Sequence, residues 1–343
     1  MASTFKTLTN SDVASTRSML HEAIPITGTI VSGTYEPNLN IKNYVHGMFQ
    51  SVYDYPYLSS SANHIFDLTA GFSANSSLSG SAGIVQEAKK INMYNELAQI
   101  LVGYDITGSI REFDQDGDLT GGAKISEALF FSFARLLTKD EIKKGSFGMT
   151  LLTGGVVSAP ANPLTIYDAN KNAYLVNSPA GEYTLLHTAS DGSGTPVGLL
   201  YYQAGIAVIT ASVFGGNTAG YFGTPAYSQS TINDYLVSGS ISGACDGMRN
   251  RLNNIQFNNT TELNSTIYFC RANHNEFNYS SNPTYISASK IVVKEIADND
   301  PVAYATTVGL YSPSNELLAV AKLSEPLKKD SSNEFTLRVR LDY

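Results

Sequence analysis

Val197-Gly198-Leu199-Leu200-Tyr201-Tyr202-Gln203-Ala204-Gly205-Ile206-Ala207-Val208-Ile209-Thr210-Ala211-Ser212-Val213 is the stretch that decides the fold. No Asp, Glu, Lys or Arg occurs between Asp191 and Asp234, so a lipid-spanning helix has to be weighed first. Gln203, Thr210 and Ser212 interrupt the run and Gly205 breaks it, while its Val, Ile and Tyr content suits strands buried on both faces. No membrane contact is expected. Upstream, Met149 to Leu152, Leu164 to Tyr167, Ala173 to Val176 and Tyr183 to Thr188 alternate with period two. Gly154-Gly155, Asp168-Ala169-Asn170 and Asp191-Gly192-Ser193-Gly194 supply turns between them, so a meander or hairpin sheet is the economical arrangement.

Flanking this sheet, the pattern predicts helices. Ile84, Ala88, Ile91, Tyr94, Ala98 and Leu101 recur at three- and four-residue steps, with Glu87, Lys90 and Glu96 off the stripe and Gly103 as a stop. Ser126, Leu129, Phe130, Phe133, Leu136 and Leu137 predict a second helix, and Thr138 to Glu141 read as a capping box for a short turn ending at Gly145. A third, capped by Ser11 or Asp12 and running through Val13, Met19, Leu20 and Ala23, would end at Pro25; Ser228 to Leu252 hold a helix broken near Gly239 and Gly243. Ile26 to Tyr35 are β-branched, and Tyr53 to Ser61 read as a loop or arm, lying over a neighbouring subunit or strapping its own domain. Strands return at Thr266 to Arg271, Ile291 to Ile296, Ala303 to Tyr311, Leu317 to Leu323 and Phe335 to Leu341, with a hairpin turn at Ser312-Pro313-Ser314-Asn315. The expected class is α+β, β-rich, with antiparallel sheets, a few supporting helices and a C-terminal β-domain. By segment, 1–82 hold an arm and first elements, 83–146 are helical, 147–227 form the meander, and 228–343 carry a helix and β-domain.

Charged residues are 15% of the 343, against about 25% in ordinary globular chains, while 21 Tyr help fill the difference, so the surface is neutral and polar. That balance lowers the desolvation cost of protein contact and supplies rigid anchors, although strands also favour Tyr, Thr and Val. The net charge of -8 is spread out, and Lys322, Lys328 and Lys329 are interrupted by Glu325 and Asp330, so nucleic acid is not an expected partner. Cys245 and Cys270, with no C-x-x-C, read as buried free thiols of a reducing compartment, and the start Met1-Ala2-Ser3-Thr4-Phe5-Lys6 lacks an export signal's apolar core.

Catalytic signatures are missing: there is no G-x-S-x-G, no Walker loop and no H-E-x-x-H. Gly192-Ser193-Gly194 with Gly198 has the wrong spacing for a dinucleotide fingerprint and reads as a flexible turn. His21, His46, His64, His187 and His274 stand singly. Asp114-Gln115-Asp116-Gly117-Asp118 is the best candidate for Ca²⁺, but an EF-hand wants Gly and Glu where the chain has Leu119 and Ile125, so an acidic surface turn is expected. The sequons at Asn75 and Asn264 are attributed to chance in an Asn- and Ser-rich chain. No enzyme activity, cofactor or metal is therefore expected.

Three segments carry a resemblance: Phe269-Cys270-Arg271-Ala272-Asn273-His274-Asn275-Glu276-Phe277-Asn278-Tyr279-Ser280-Ser281-Asn282-Pro283-Thr284; Thr307 to Tyr311 with Asn315 to Leu323; and Leu337-Arg338-Val339-Arg340-Leu341-Asp342-Tyr343. They resemble the C-terminal region of virion structural proteins of contractile-tailed phages of marine cyanobacteria and their relatives, and Leu137 to Phe147 is similar to the same group. The resemblance implies a structural subunit of the tail, baseplate or neck, made in the host cytoplasm and held in the virion in several copies by other virion proteins. A capsid decoration, a fibre-attachment adaptor or a receptor- or glycan-binding protein are the alternatives. Independently, Phe277, Asn278, Tyr279, Asn282 and Pro283 combine aromatic anchors with side-chain amides on a stiff segment, which serves equally to dock a partner or to latch its own hairpin.

Overall fold

The computed structural model describes residues 5–28, 39–117, 121–169, 176–215, 222–224, 227–229, 231–279, 284–287, 290–291 and 300–343. Its strands are β1 (Val13–Thr27), β2 (Ile41–Asn43), β3 (Gln50–Tyr53), β4 (His64–Phe72), β5 (Glu127–Phe133), β6 (Glu141–Ile142), β7 (Gly148–Val156), β8 (Ala159–Tyr167), β9 (Val176–Ser178) and β10 (Gly181–His187). They continue as β11 (Pro196–Tyr201), β12 (Ile206–Thr210), β13 (Phe222–Thr224), β14 (Tyr227–Gln229), β15 (Leu252–Ala272), β16 (Ile286–Ser287), β17 (Lys290–Ile291), β18 (Ala303–Tyr311), β19 (Leu317–Lys329) and β20 (Phe335–Asp342). The helices are α1 (Glu87–Leu101), α2 (Arg135–Thr138), α3 (Ile232–Ser238) and α4 (Ile241–Arg251). Strand makes up 47% and helix 16% of the described residues, so the β-rich α+β class with antiparallel sheets is the fold.

The chain divides into two compact units, a central one of Leu20–Thr261 and a terminal one of Met1–Met19 with Glu262–Tyr343. In the central unit the strands follow the order β15-β7-β8-β10-β11-β12-β5-β4-β3-β2, and the registers from β10 to β4 are antiparallel. One face of this sheet buries Ala128, Phe130, Val208, Leu199 and Tyr201 with Tyr94, Ala98 and Leu101 of α1. The opposite face buries Phe66, Leu68, Phe131, Phe133, Ile209 and Leu200 with Tyr235, Ala244, Cys245 and Met248 of α3 and α4. The middle strands are therefore covered on both sides, as the stretch from Val197 to Val213 implies: it folds as β11, a turn at Gly205, β12 and a 3-10 turn at Ala211–Phe214. The turn at Asp191 to Gly194 closes the β10–β11 hairpin, with Thr188 N donating to Thr195 O at 3.2 Å. Tyr94 ties α1 down by donating its hydroxyl to Ile125 O at 2.7 Å while accepting from Phe113 N at 3.1 Å.

Several elements differ from the sequence expectation. Residues 127–133 are the central strand β5, because both faces are buried and an all-apolar strand matches helical spacing as well as its own. Only Arg135–Thr138 is helical there; Lys139, with φ +56°, ends it, and Glu141–Ile142 pairs with β15 where a capped turn was expected. Residues 13–23 lie in β1, not a helix, and Pro25 is accommodated at the sheet's edge, where its missing N–H goes unneeded. Lys90, off the expected apolar stripe, is fully buried. Gly154 and Gly155 lie inside β7, and the hairpin turns beyond Val156. Gly239 separates α3 from α4 as expected, but Gly243 lies within α4, where its N–H donates to the capping Ser240 hydroxyl at 3.0 Å. Gly103, at φ +84°, ends α1 with its N–H on Ala98 O at 2.9 Å. The expected segments Ala173 to Val176, Ile26 to Tyr35 and Ile291 to Ile296 lie largely outside the described residues. No helix among the described residues is long and apolar enough to cross a membrane.

Candidate interaction surface

The terminal unit is built on β15, whose residues from Ser265 to Ala272 pair with β20 from Asp342 to Phe335. Along β20, Phe335, Leu337, Val339 and Leu341 turn inward and alternate with exposed Thr336, Arg338, Arg340 and Asp342, the period of two that a half-buried strand requires. The N-terminal segment is strapped to the same strand. Asp12 pairs with Arg271 at 2.8 Å, and Lys6 donates to Arg271 O at 3.0 Å and pairs with Glu276. Hydrogen bonds from the Thr9 hydroxyl and N–H, with the Arg271 guanidinium, hold the Asp12 carboxyl below its ordinary range; the Lys6 ammonium and the Asn273 N–H do the same for Glu276.

Beyond Glu276 the expected interface or latch residues lie in two kinds of surroundings. Asn278 is tied down: its Nδ2 donates to His274 O at 2.8 Å and its Oδ1 accepts from Lys329 Nζ at 2.6 Å. Lys329 is buried, and its ammonium also donates to Asp330 O at 2.7 Å and His274 O at 3.3 Å, so neutral oxygens hold it. The sequence offers no sign of this, since Lys328-Lys329-Asp330 reads as a solvated charge run. Phe277 and Tyr279 point outward, 46% and 45% exposed, and Phe277 holds the left-handed backbone at φ +54°. Asn282 and Pro283 lie outside the described residues.

The expected hairpin is present: β18 and β19 pair antiparallel as a sheet of two strands, and Asn315 takes φ +65° in the turn. Its surface is unusually apolar. Tyr304, Tyr311, Leu317, Leu318 and Val320 are all exposed, Leu318 to 69%. Phe5 packs edge-on against Tyr311 with ring centroids 4.8 Å apart, and Tyr311 and Leu317 lie across Gly309, where an added Cβ would meet the tyrosine ring at 2.8 Å. Among the described residues, Ala272 and Val339 are the only buried apolar side chains of the terminal unit, while the central unit holds both core clusters. No family model, curated protein or solved structure matches the chain.

The residues weighed for chemistry are occupied otherwise. Asp114 is buried and paired with Lys124 at 2.7 Å, and Asp116 accepts from Ala123 N at 3.0 Å; Asp118 lies outside the described residues. No group of three or more candidate metal ligands occurs among the described residues. Ser51, Asp67 and His64 meet on β3 and β4, but Asp67 stands in the middle, accepting from Ser51 at 2.5 Å and bonded to His64 at 2.9 Å. The imidazole therefore touches the carboxylate and not the hydroxyl, an order that does not activate a nucleophile. His187 Nδ1 bonds Gly194 O at 2.9 Å, and His21 Nδ1 lies 3.3 Å from Asn259 O. Both cysteines are free: Cys245, buried, donates to Leu68 O at 3.2 Å and burial pushes its thiol up, while Cys270 is only partly buried.

Proposed function

We propose that this chain is a structural subunit of a tailed-phage virion, belonging to the tail, baseplate or neck, and that it acts by permanent protein–protein assembly. One observation carries the reading. The terminal unit has almost no apolar core of its own among the described residues, yet it exposes tyrosine and aliphatic side chains along the β18–β19 hairpin. A two-stranded hairpin is marginally stable alone in water, and exposed apolar patches of this kind are ordinarily covered by a partner. The segments that resemble contractile-tail virion proteins fall largely on this unit, at Phe269 to Thr284, Thr307 to Leu323 and Leu337 to Tyr343. Phe277 adds support, because a left-handed conformation costs a non-glycine residue about 1–2 kcal/mol, and here it presents an exposed ring.

Mass spectrometry of purified virions of the encoding phage tests this. The chain is expected at a fixed stoichiometry to the other particle proteins, and its absence from purified particles overturns the reading.

A further inference from the structure

The two edges of the β18–β19 hairpin are unlike each other. On β19 the outer edge carries Lys322 and Lys328, and residues 323–326, including Pro326, stand opposite Thr306 alone, since Ala305 pairs with Leu327 and Thr307 with Lys322. Lysines, a proline and a large irregularity are the devices by which sheet proteins block edge-to-edge pairing. β18 has none of them. Its sequence, Ala303-Tyr304-Ala305-Thr306-Thr307-Val308-Gly309-Leu310-Tyr311, contains no charge and no proline, and it is rich in residues that favour strands. Among the described residues, β19 is the only strand paired with it, on one side.

We propose that the edge of β18 that faces away from β19 pairs antiparallel with the same strand of a second copy of this chain. This deepens the assembly reading and rests on it. The argument for a second copy is the strand's compatibility with itself. With no charge along its length, two copies meet no like-charge pair, whereas two β19 edges would bring their lysines together. With Thr307 opposite its own copy, Tyr304 faces Leu310, Thr306 faces Val308 and Ala303 faces Tyr311, neutral pairs of the aromatic, aliphatic and β-branched kind that stabilise neighbouring strands. At about 3.3 Å per residue the shared edge is roughly 30 Å long. That is less contact than the ~800 Å² per partner of a stable dimer, so pairing in solution is weak and concentration-dependent.

The test uses the full chain and a single position. Thr307, exposed at the midpoint of the strand, faces Lys322 of its own hairpin. Thr307→Glu therefore gains a partner within the chain, but in a paired dimer it sets two carboxylates side by side. Sedimentation equilibrium over about 10–500 μM should show the native chain dimerising and Thr307→Glu weakened about two- to fivefold, with mixed Thr307→Glu and Thr307→Lys chains pairing again. In parallel, amide protection of Ala303 to Tyr311 in the native chain should rise with concentration, a readout that needs no variant. A native chain that stays monomeric throughout, a Thr307→Glu chain that dimerises as well as the native one, or a mixture that stays monomeric overturns the proposal. A chain found in virions that fails this test removes the edge pairing alone; a dimer of a chain absent from virions removes the assembly reading.

Discussion

Lys90 is a fully buried cation held by backbone oxygens of Leu236 and Gly239, the latter at 2.8 Å, with the Phe72 ring 6.0 Å away. The carbonyls at the end of α3 are the negative pole of that helix, which favours an ammonium there. Burial nevertheless lowers its pKa from 10.5 to about 8. The sign follows from proton counting. Between pH 8 and 10.5 the unfolded lysine keeps its proton and the folded one releases it, so this group's contribution to stability rises with pH across that window. Lys90→Met removes the effect. In parallel denaturant titrations, the stability of the native chain relative to the variant is expected to grow by about 3 kcal/mol from pH 8 to 10.5; a difference that is flat with pH sinks the assignment. At Lys329 the expectation concerns hydrogen bonds. Lys329→Met leaves Asn278 Oδ1 and the carbonyls of His274 and Asp330 without that donor, and it should destabilise the terminal unit by about 1–3 kcal/mol, read as faster amide exchange around residues 274–278. Phe277→Ala and Tyr279→Ala, by contrast, should each change unfolding by less than about 0.5 kcal/mol, as exposed positions do. Loss of particle incorporation with folding intact is then the signature of docking, and loss of folding would make the aromatic pair part of the latch.

Among the elements, β5 shows most clearly what the sequence conceals. Phe131 is fully buried against Phe66 at a centroid distance of 5.6 Å, and Phe130 on the other face lies 5.6 Å from Phe113. Phe131→Ala should cost about 3–5 kcal/mol in a urea titration, since the flanking β4 and β12 keep the cavity from collapsing. A cost below 1 kcal/mol would mean that this strand is not central. The same burial explains why the residue pattern suggests a helix here: with both sides apolar, alternation disappears, and only a neighbour such as α1 tells which face each residue serves. The β18–β19 hairpin was legible because turn residues and β-branched runs are local signals, and α1 because its stripe meets a single face. What stayed hidden were long-range partners: Pro25 on an edge, Lys90 under α3, and Lys329 against Asn278. Of the proposed interface, the aromatic side chains of Phe277 and Tyr279 and the bonding amide of Asn278 are legible in the sequence, while the partner Lys329 is not, because it lies at a distant strand end.

Across the whole molecule, apolar burial is distributed so unevenly that the two units should not share one stability. The central unit encloses core on both faces of its sheet, with residues such as Phe66, Phe131, Ile209 and Tyr235 almost inaccessible. At about 25 cal/mol per Å² of buried apolar area, such a core dominates its free energy. The terminal unit relies on strand pairing, the Lys329 cluster and ion pairs at Asp12, Glu276, Asp330 and Asp342, all of them carboxylates held below their ordinary range. For Asp330 the Ser332 hydroxyl and then Lys328 bring the value to about 2. A carboxylate depressed in the folded state stabilises fully above its unfolded value near 4 and loses that contribution as pH falls through the folded one. The central unit also has depressed carboxylates, at Asp105 and Asp191, but they sit in turns beside an apolar core that carries no such dependence, so the terminal unit should loosen first between about pH 4 and 2. Hydrogen exchange of the purified chain in acid is expected to show early loss of protection at Ser265 to Ala272 and Phe335 to Asp342, while β4, β5 and β12 remain protected. Simultaneous loss in both sets would show that the chain unfolds as one cooperative block and that the sparse core of the terminal unit does not limit its stability.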